Sequence, residues 1–363
     1  MMKSLDGKTV LVTGGTGSLG KVLVRRLLAG DIGEPENIII FSRDEAKQHF
    51  MRLELQKLTA GTDDLLYGNF FRKLKFVIGD VRNYESIAPV VSQADVVINA
   101  AALKQVPACE YFPYEAVRTN ILGAENIVRA IQMQKTHVET VVGVSTDKAC
   151  KPVNVMGMTK ALQERIFIDG NLRSPETRFC CVRYGNVLAS RGSVIPLFHE
   201  QIRRGGPVTI TTAEMTRFLL SLNEAVDTIF AALRGAKPGD IFIPRVPSAT
   251  MMNVAKALIG TRNIDIEIVG IRPGEKVHEI LISDEEVSRT SERGNWYAIG
   301  SALPELSDTD LHSDFHTADP CIMGEYSSEH CVLDLEQTID LLMRHDLMME
   351  QNISANDLTE VLR

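Results

Sequence analysis

"KTVLVTGGTGSLG", residues 8–20, decides the fold. The near-continuous apolar run KTVLVTG (8–14) reads as a strand buried on both faces. Gly14, Gly17 and Gly20 follow at a Gly-x-x-Gly-x-x-Gly spacing, and a helical pattern over 18–29 starts among them. A glycine triad by itself says little. Set between a strand and a helix, it predicts dinucleotide binding. One glycine permits the tight turn, one lets backbone reach a pyrophosphate, and one packs helix on strand. The helix N-terminus then offers free N–H groups and a positive dipole end to the phosphates. Thr13, Ser18 and Leu19 belong to the same cradle.

The pattern repeats outward from this stretch. NIIIFS (37–42), KLKFVIGD (73–80), ADVVINAA (94–101), ETVVGVST (139–146) and TRFCCVRYG (177–185) read as further buried strands. Helical patterns lie between them at 44–59, 84–92, 111–134 and 154–169. Such alternation predicts an α/β fold with a doubly wound parallel sheet. After about residue 186 the elements shorten and Gly and Pro become commoner. The expected organisation is a cofactor domain over 1–186, with returns near 213–245 that include the strand DIFIPR (240–245). A smaller, loop-rich substrate-binding part over 187–300 is interleaved with it, and 301–363 is a polar tail. LEQTIDLLMRHDLMMEQ (335–351) reads as a helix, and part of 290–330 as a flap over the site.

The totals narrow the function classes. The chain has 363 residues, a net charge of −8 and 44% hydrophobic residues. No basic block stands ready to neutralise phosphates, which argues against nucleic acid. No apolar run approaches the roughly 18 residues of a membrane span. The N-terminus enters a strand at once, so no secretory signal is expected. Six cysteines at 109, 150, 180, 181, 321 and 331 form no Cys-x-x-Cys pair, which suits free thiols in a reducing cytoplasm. His312, His316, Cys321, His330 and Cys331 crowd the tail, but their spacing fits no zinc pattern, so no metal is expected.

Strand ends supply the chemistry. Ser42, Arg43 and Lys47 stand where an NAD site usually carries an acid, and a hydroxyl with two cations suits the 2′-phosphate of NADP. Asp80 is placed to accept from the adenine amino group, and Val81 to cover the ring. The small residues Ala100, Ala101 and Ala102 let a cofactor lie close to the backbone, and Lys104 follows at the cleft edge. Asn120 is placed to bridge toward the catalytic strand. STDK (145–148) closes the fifth strand at the carboxyl edge, where open α/β sheets bind ligands. Asp147 and Lys148, an adjacent acid and base, can divide the two proton transfers of an elimination. That role asks for a lysine of lowered pKa. Lys160 lies one helical turn beyond Met156, so the two share a face, and Lys160 is placed to hold the nicotinamide ribose.

TGGTGSLG, FSRDE, GDVR, AALKQVP, STDKA, RYGNV, SRGSVIPLF, MTRF and RPGEK together resemble the extended short-chain dehydrogenase/reductases. More narrowly, residues 5–300 resemble the bacterial UDP-N-acetylglucosamine 4,6-dehydratases of capsule and flagellin-glycan synthesis. The resemblance implies a Rossmann-type sheet and an NADP that stays bound and is regenerated each turnover. It implies C4 oxidation, C5 deprotonation with loss of the C6 hydroxyl as water, and hydride return to C6. Asp147 is then the acid, Lys148 the base at C5, and Thr146 a contact near C4. The family's usual tyrosine is Met156 here, a variant that other members share. Lys160 takes first place as acceptor of the 4-hydroxyl proton, with Thr146 as relay.

The resemblance also implies a nucleotide site. Tyr184 sits on the cofactor side, and Asn186, Arg191, Ser193, Val194 and Thr209 on the substrate side. Arg217 and Arg272 suit a diphosphate by their planar forks, and Glu275 suits the uridine ribose. The expected product is the C5-inverted UDP-2-acetamido-2,6-dideoxy-L-arabino-hexos-4-ulose, made by a homo-oligomer of dimers or hexamers. The alternatives are a C5-retaining dehydratase, a nucleotide-sugar 4-epimerase, and a cofactor-binding scaffold without activity.

Overall fold

The computed structural model describes residues 4–59, 70–134, 136–188, 193–306 and 321–348. Its centre is a sheet of nine strands among the described residues. In chain order these are β1 (Thr9–Thr13), β2 (Asn37–Ser42), β3 (Leu74–Ile78), β4 (Val96–Asn99), β5 (Thr140–Val144) and β6 (Arg178–Val182), then three later returns. The spatial order is β14-β15-β10-β6-β5-β4-β1-β2-β3. β1 to β6 and β10 (Ile241–Pro244) pair in parallel, so their carboxyl ends share one edge. The chain runs outward from β1 to β3, then crosses back to β4 on the other side of β1. The reversal between β1 and β4 is the topological switch point, where ligands bind in such sheets.

The remaining strands form three smaller sheets among the described residues. β7 (Asn186–Val187), β9 (Thr216–Leu220), β11 (Ser248–Thr250) and β17 (Val332–Leu333) form a second sheet. β8 (Val208–Ile210) pairs β12 (Ile266–Ile268), and β13 (Ile280–Ile282) pairs β16 (Tyr326–Ser327). Two large apolar clusters hold these elements together. One fills the space between the large sheet and its helices, around Val12, Ile40, Ile98, Val142, Phe179 and Phe242. The other packs the helices Val194–Arg203, Met251–Ile259 and Leu335–Arg344 through Phe198, Leu258 and Leu342. Burial of these side chains contributes about 1.5–3 kcal/mol each.

Three expectations change. The region 111–134 is not one helix. It breaks at Phe112 (φ −128°, ψ 60°), restarts at Pro113, passes through a π-turn at Val117–Leu122 and continues as Gly123–Gln134. Proline at the restart fixes φ and needs no N–H partner there. Residues 290–299 are not a flap: β14 (Thr290–Arg293) and β15 (Trp296–Ile299) form a hairpin that extends the main sheet antiparallel to β10. The C-terminal helix stops at Arg344, and Asp346 takes φ 54° just beyond. Arg191, His312, Asp314, His316 and Asp319 lie outside the described residues.

Candidate active site

The glycine turn is built as its sequence requires. Gly14 has φ +67°, and a Cβ there would stand 2.8 Å from the backbone of Ala100 and Ala101. Gly20 sits against Gly15, where a Cβ would come within 2.5 Å of backbone. Gly17 is exposed and caps the helix Ser18–Leu28 without a side-chain bond. Thr13 donates to Asn99 across the switch point at 2.6 Å, and the N–H of Ala101 reaches Thr13 Oγ1 at 3.3 Å. A dinucleotide pyrophosphate fits this bare cradle, since only glycine leaves the backbone accessible.

The adenosine side is less open than the sequence implies. The Asp80 carboxylate is engaged by Arg82 at 2.6 Å, with Arg43 at 3.8 Å. Ser42 accepts from Gln48 at 3.0 Å, and Lys47 pairs with Asp44 at 2.9 Å. Arg43 therefore stays the most available of the three proposed 2′-phosphate contacts, with half its side chain exposed. Val81 is buried against Gly123 rather than laid open over a ring site. Ala100 and Ala101 are half-buried, and Ala102 and Lys104 are exposed.

β5 ends at Val144 and its continuation turns tightly through Asp147–Ala149. Thr146 caps that turn and donates to Asp147 Oδ1 at 2.8 Å. The Asp147 N–H is fixed by Tyr184 O at 3.0 Å, which ties β5's end to β6's. Gly157 presses the helix Val155–Arg173 onto Lys148 O, where a Cβ would approach to 2.2 Å. Asp147 is fully buried, and burial raises its pKa against the opposing charge of Lys148. Its Oδ2 has no hydrogen-bond partner among the described residues. Gly185 lies beside that oxygen and is held to glycine by Phe218, whose Cβ would stand 2.5 Å from an added Cβ.

Lys148 departs from expectation. Burial pulls its pKa down, but the charges of Asp147 and Glu279 outweigh burial, and the pKa is raised. Its Nζ lies 3.0 Å from Asp147 Oδ1, 3.1 Å from Asn186 Oδ1 and 3.3 Å from Glu279 Oε1. Sequence reasoning passed over Glu279, which follows RPGEKVH and is buried. Acidic neighbours far along the chain leave no local pattern to find.

Lys160 is buried, and burial lowers its pKa to about 8. Its Nζ donates to Val144 O at 2.5 Å and Gln163 Oε1 at 2.6 Å, both protein acceptors. Met156 fills a small apolar cluster with Cys109 and Ala116, flanked by Leu103, Val106 and Val155. Asn120 is fully buried. It clamps Leu103 through both backbone groups and donates to Thr159 at 2.9 Å, so it bridges to the helix rather than to the catalytic strand. Tyr184 is buried and its pKa is raised by burial.

The substrate residues divide. Arg217 is buried, and its fork donates to the carbonyls of Thr216, Lys276 and Val277, so it is not free to clasp a diphosphate. Thr209 is tied to Gln201 on the helix Val194–Arg203. Ser193 precedes that helix with its Oγ buried and without a partner among the described residues, and Val194 packs on the smaller core. Arg272 is exposed, and its N–H reaches Glu275 Oε2 at 3.4 Å. Glu275 also faces Thr211 at 3.5 Å.

The glycine turn at the switch point, the acid–lysine pair just after β5 and the buried lysine on the following helix all sit on one Rossmann-like α/β sheet. The chain belongs to the polysaccharide biosynthesis protein family, whose model matches residues 10–301. It is 43% identical over 355 residues to a UDP-glucose 4-epimerase of Rickettsia bellii, covering 95% of this chain and 98% of the relative. The X-ray structure of Pen from Bacillus thuringiensis superposes with a TM-score of 0.82 at 33% identity, covering 95% of this chain and 99% of that one. A dTDP-glucose 4,6-dehydratase from Streptomyces venezuelae, solved with NAD bound, shares the fold at a TM-score of 0.62 and 21% identity over 74% of this chain and 86% of its own.

Proposed function

We propose that this enzyme acts on a nucleotide sugar as a UDP-N-acetylglucosamine 4,6-dehydratase holding NADP tightly. The buried Asp147 carboxyl, its pKa raised and its Oδ2 without a partner among the described residues, carries the assignment. Expelling the C6 hydroxyl as water needs an acid that keeps its proton near neutral pH. Epimerisation at C4 needs no such acid.

A bound nicotinamide dinucleotide supplies the oxidation at C4 and returns the hydride to C6. The glycine cradle and Arg43 hold it. Lys160, near pKa 8, takes the 4-hydroxyl proton, with Thr146 beside C4 as relay. The resulting 4-ketone makes the C5 proton acidic. Lys148 removes that proton and Asp147 protonates the departing C6 oxygen. The two side chains touch at 3.0 Å, so one proton passes between them to form the reactive amine–carboxylic acid pair. Met156 takes no part in proton transfer, having neither donor nor basic acceptor. Arg272, Glu275, Asn186 and Ser193 take the nucleotide end. Hydride return to C6 leaves an enolate, which takes a proton from solvent at C5 on the face opposite Lys148 to give the L-arabino product, while Lys160 returns its proton to solvent. The same reading includes a cytoplasmic homo-oligomer.

The test is incubation with UDP-N-acetylglucosamine and no added cofactor, followed by NMR. A 4-keto-6-deoxy sugar supports the dehydratase, and coupling constants at C5 give its configuration. A C4 epimer with its C6 hydroxyl retained would favour the second reading, a 4-epimerase, to which the names of the 43% identical relatives point.

A further inference from the structure

Lys148 is held from two sides. Asp147 Oδ1 lies 3.0 Å from its Nζ and Glu279 Oε1 lies 3.3 Å away. Both carboxylates are buried, and each keeps one oxygen, Asp147 Oδ2 and Glu279 Oε2, without a partner among the described residues. Two adjacent buried carboxylates and one ammonium cannot all hold their ordinary protons independently.

Glu279 is placed with care. Its N–H donates to Ser328 Oγ at 2.9 Å, and its C=O accepts from the Ser328 N–H at 2.8 Å. Ser328 Oγ also meets Thr216 Oγ1 at 2.7 Å. These bonds join the start of β13 to β9 and hold the carboxylate against Lys148. Arg217 faces Glu279 from β9, with Nε 3.7 Å from Oε1. Lys276 faces it from the preceding loop and donates to Cys150 O at 2.6 Å. The groups around the Lys148 ammonium are therefore Asp147, Glu279, Asn186 and Arg217, with Lys276 behind.

We propose that Glu279 is a third member of the acid–base set, a positioning residue that carries the site's fixed negative charge so that Asp147 can carry the transferable proton. The charges of Arg217 and Lys276 beside it keep that charge on Glu279 rather than on Asp147. The opposite directions of the two carboxyls agree: burial lifts Asp147, helped by Glu279, whereas Lys148, Arg217 and Lys276 overcome burial at Glu279 and lower it. The role deepens the dehydratase reading and rests on it for its place in turnover. In that turnover the C5–H bond breaks as an N–H bond forms at Lys148. The C6–O bond breaks as the Asp147 proton joins the leaving oxygen, and the electron pair from C5–H becomes the C5=C6 bond. The set ends as charged Lys148 beside ionised Asp147 and Glu279. One proton crossing from Lys148 to Asp147 at 3.0 Å restores the starting form.

Glu279→Gln keeps an oxygen for Lys148 and removes the charge, while Glu279→Asp keeps the charge. Two measurements test the proposal. The first is the pH profile of kcat/KM for 4-keto-6-deoxy sugar formation. Both limbs should move to lower pH in Glu279→Gln by about one unit or more, the scale of a charge within 4–6 Å, and return toward wild type in Glu279→Asp. A uniform loss at every pH with unmoved limbs would mark a merely structural role and overturn the proposal. The second needs no turnover: the Lys148 resonance in protein carrying 13C-labelled lysine, assigned with Lys148→Arg. It should titrate at lower pH in Glu279→Gln than in wild type. An unchanged Lys148 titration overturns the proposal even if the enzyme is a dehydratase. Should wild type form no keto sugar at all, the dehydratase reading fails and the titration still decides the role of Glu279.

Discussion

Replacing Arg183 with Met removes the cation beneath the whole site. Arg183 is 1% exposed and lies immediately after β6. Its Nη2 reaches Glu164 Oε2 at 2.7 Å and its Nη1 reaches Glu286 Oε2 and Leu281 O at 2.8 Å. Ser145, the residue before Thr146, donates to the same Glu164 at 2.5 Å. One guanidinium thus binds β6's end, the Lys160 helix, β13 and the short helix Asp284–Val287 that follows it, and reaches the end of β5 through Glu164. Methionine fills similar volume but leaves two buried carboxylates without their cation. Removing one partner of a buried pair costs about 3–5 kcal/mol, far more than the pair contributes net. At about 2 °C per kcal/mol for a large domain, the melting temperature should fall by about 6–10 °C. The pH dependence supplies the sign. In wild type, burial raises the pKa of Glu286, but Arg183 foremost, with the Ser283 N–H and Arg289, reverses this and the pKa is lowered. Without Arg183 it rises above the unfolded value, so the variant's native state binds the extra proton. The variant's stability then falls as pH rises through that window, and the deficit should be full at pH 7.5 and smaller near pH 5. Calorimetry at both pH values is the assay, with Arg183→Met/Glu286→Gln expected to recover much of the loss. A Met variant melting within about 1 °C of wild type at pH 7.5, or a deficit indifferent to pH, would refute the reasoning.

Three further outcomes are expected. Gly20→Ala puts a Cβ 2.5 Å from the Gly15 backbone. It should cost about 1–3 kcal/mol by overpacking and lower the cofactor content of the purified protein, read from thermal melts and absorbance. Lys160 must be neutral to accept the 4-hydroxyl proton, so initial rates should rise as pH passes about 8, and Lys160→Arg should abolish the rise. The same group binds fewer protons folded than unfolded between pH 8 and 10.5, so its contribution makes stability increase across that window, measurable by denaturant titration. Met156→Tyr buries a hydroxyl among Cys109, Ala116 and Val106. It should lower stability by about 1–3 kcal/mol if the hydroxyl stays unpaired, yet leave the initial rate of C4 oxidation unchanged.

What the sequence made legible was local. The strand–glycine–helix unit at 8–29 and the apolar runs that became β2 to β6 follow from periodicity and from glycine's freedom, both short-range. Asp147 and Lys148 stand side by side in the chain, so their pairing needed no fold to be seen. Long-range partners were hidden. Glu279 meets Lys148 because Ser328 ties the start of β13 to Thr216 of β9, and Arg217 on β9 turns inward to the carbonyls of 276–277. Asp80 looked free for adenine until Arg82 folded back on it. The break at Phe112 escaped because Pro113 suits a helix's first turn as well as its interruption. The hairpin at 290–299 carries too few residues per strand for a periodicity to register.

In the proposed reaction one site moves hydride from C4 to C6 of the sugar while Asp147 and Lys148 remove water between them. UDP-N-acetylglucosamine deuterated at C4 tests it most directly, with no cofactor added and the product read by NMR and mass spectrometry. The deuterium is expected at C6, as a CH₂D group on a 4-keto sugar that has lost one water. Deuterium found at C4 of a sugar that still carries its C6 hydroxyl would contradict it.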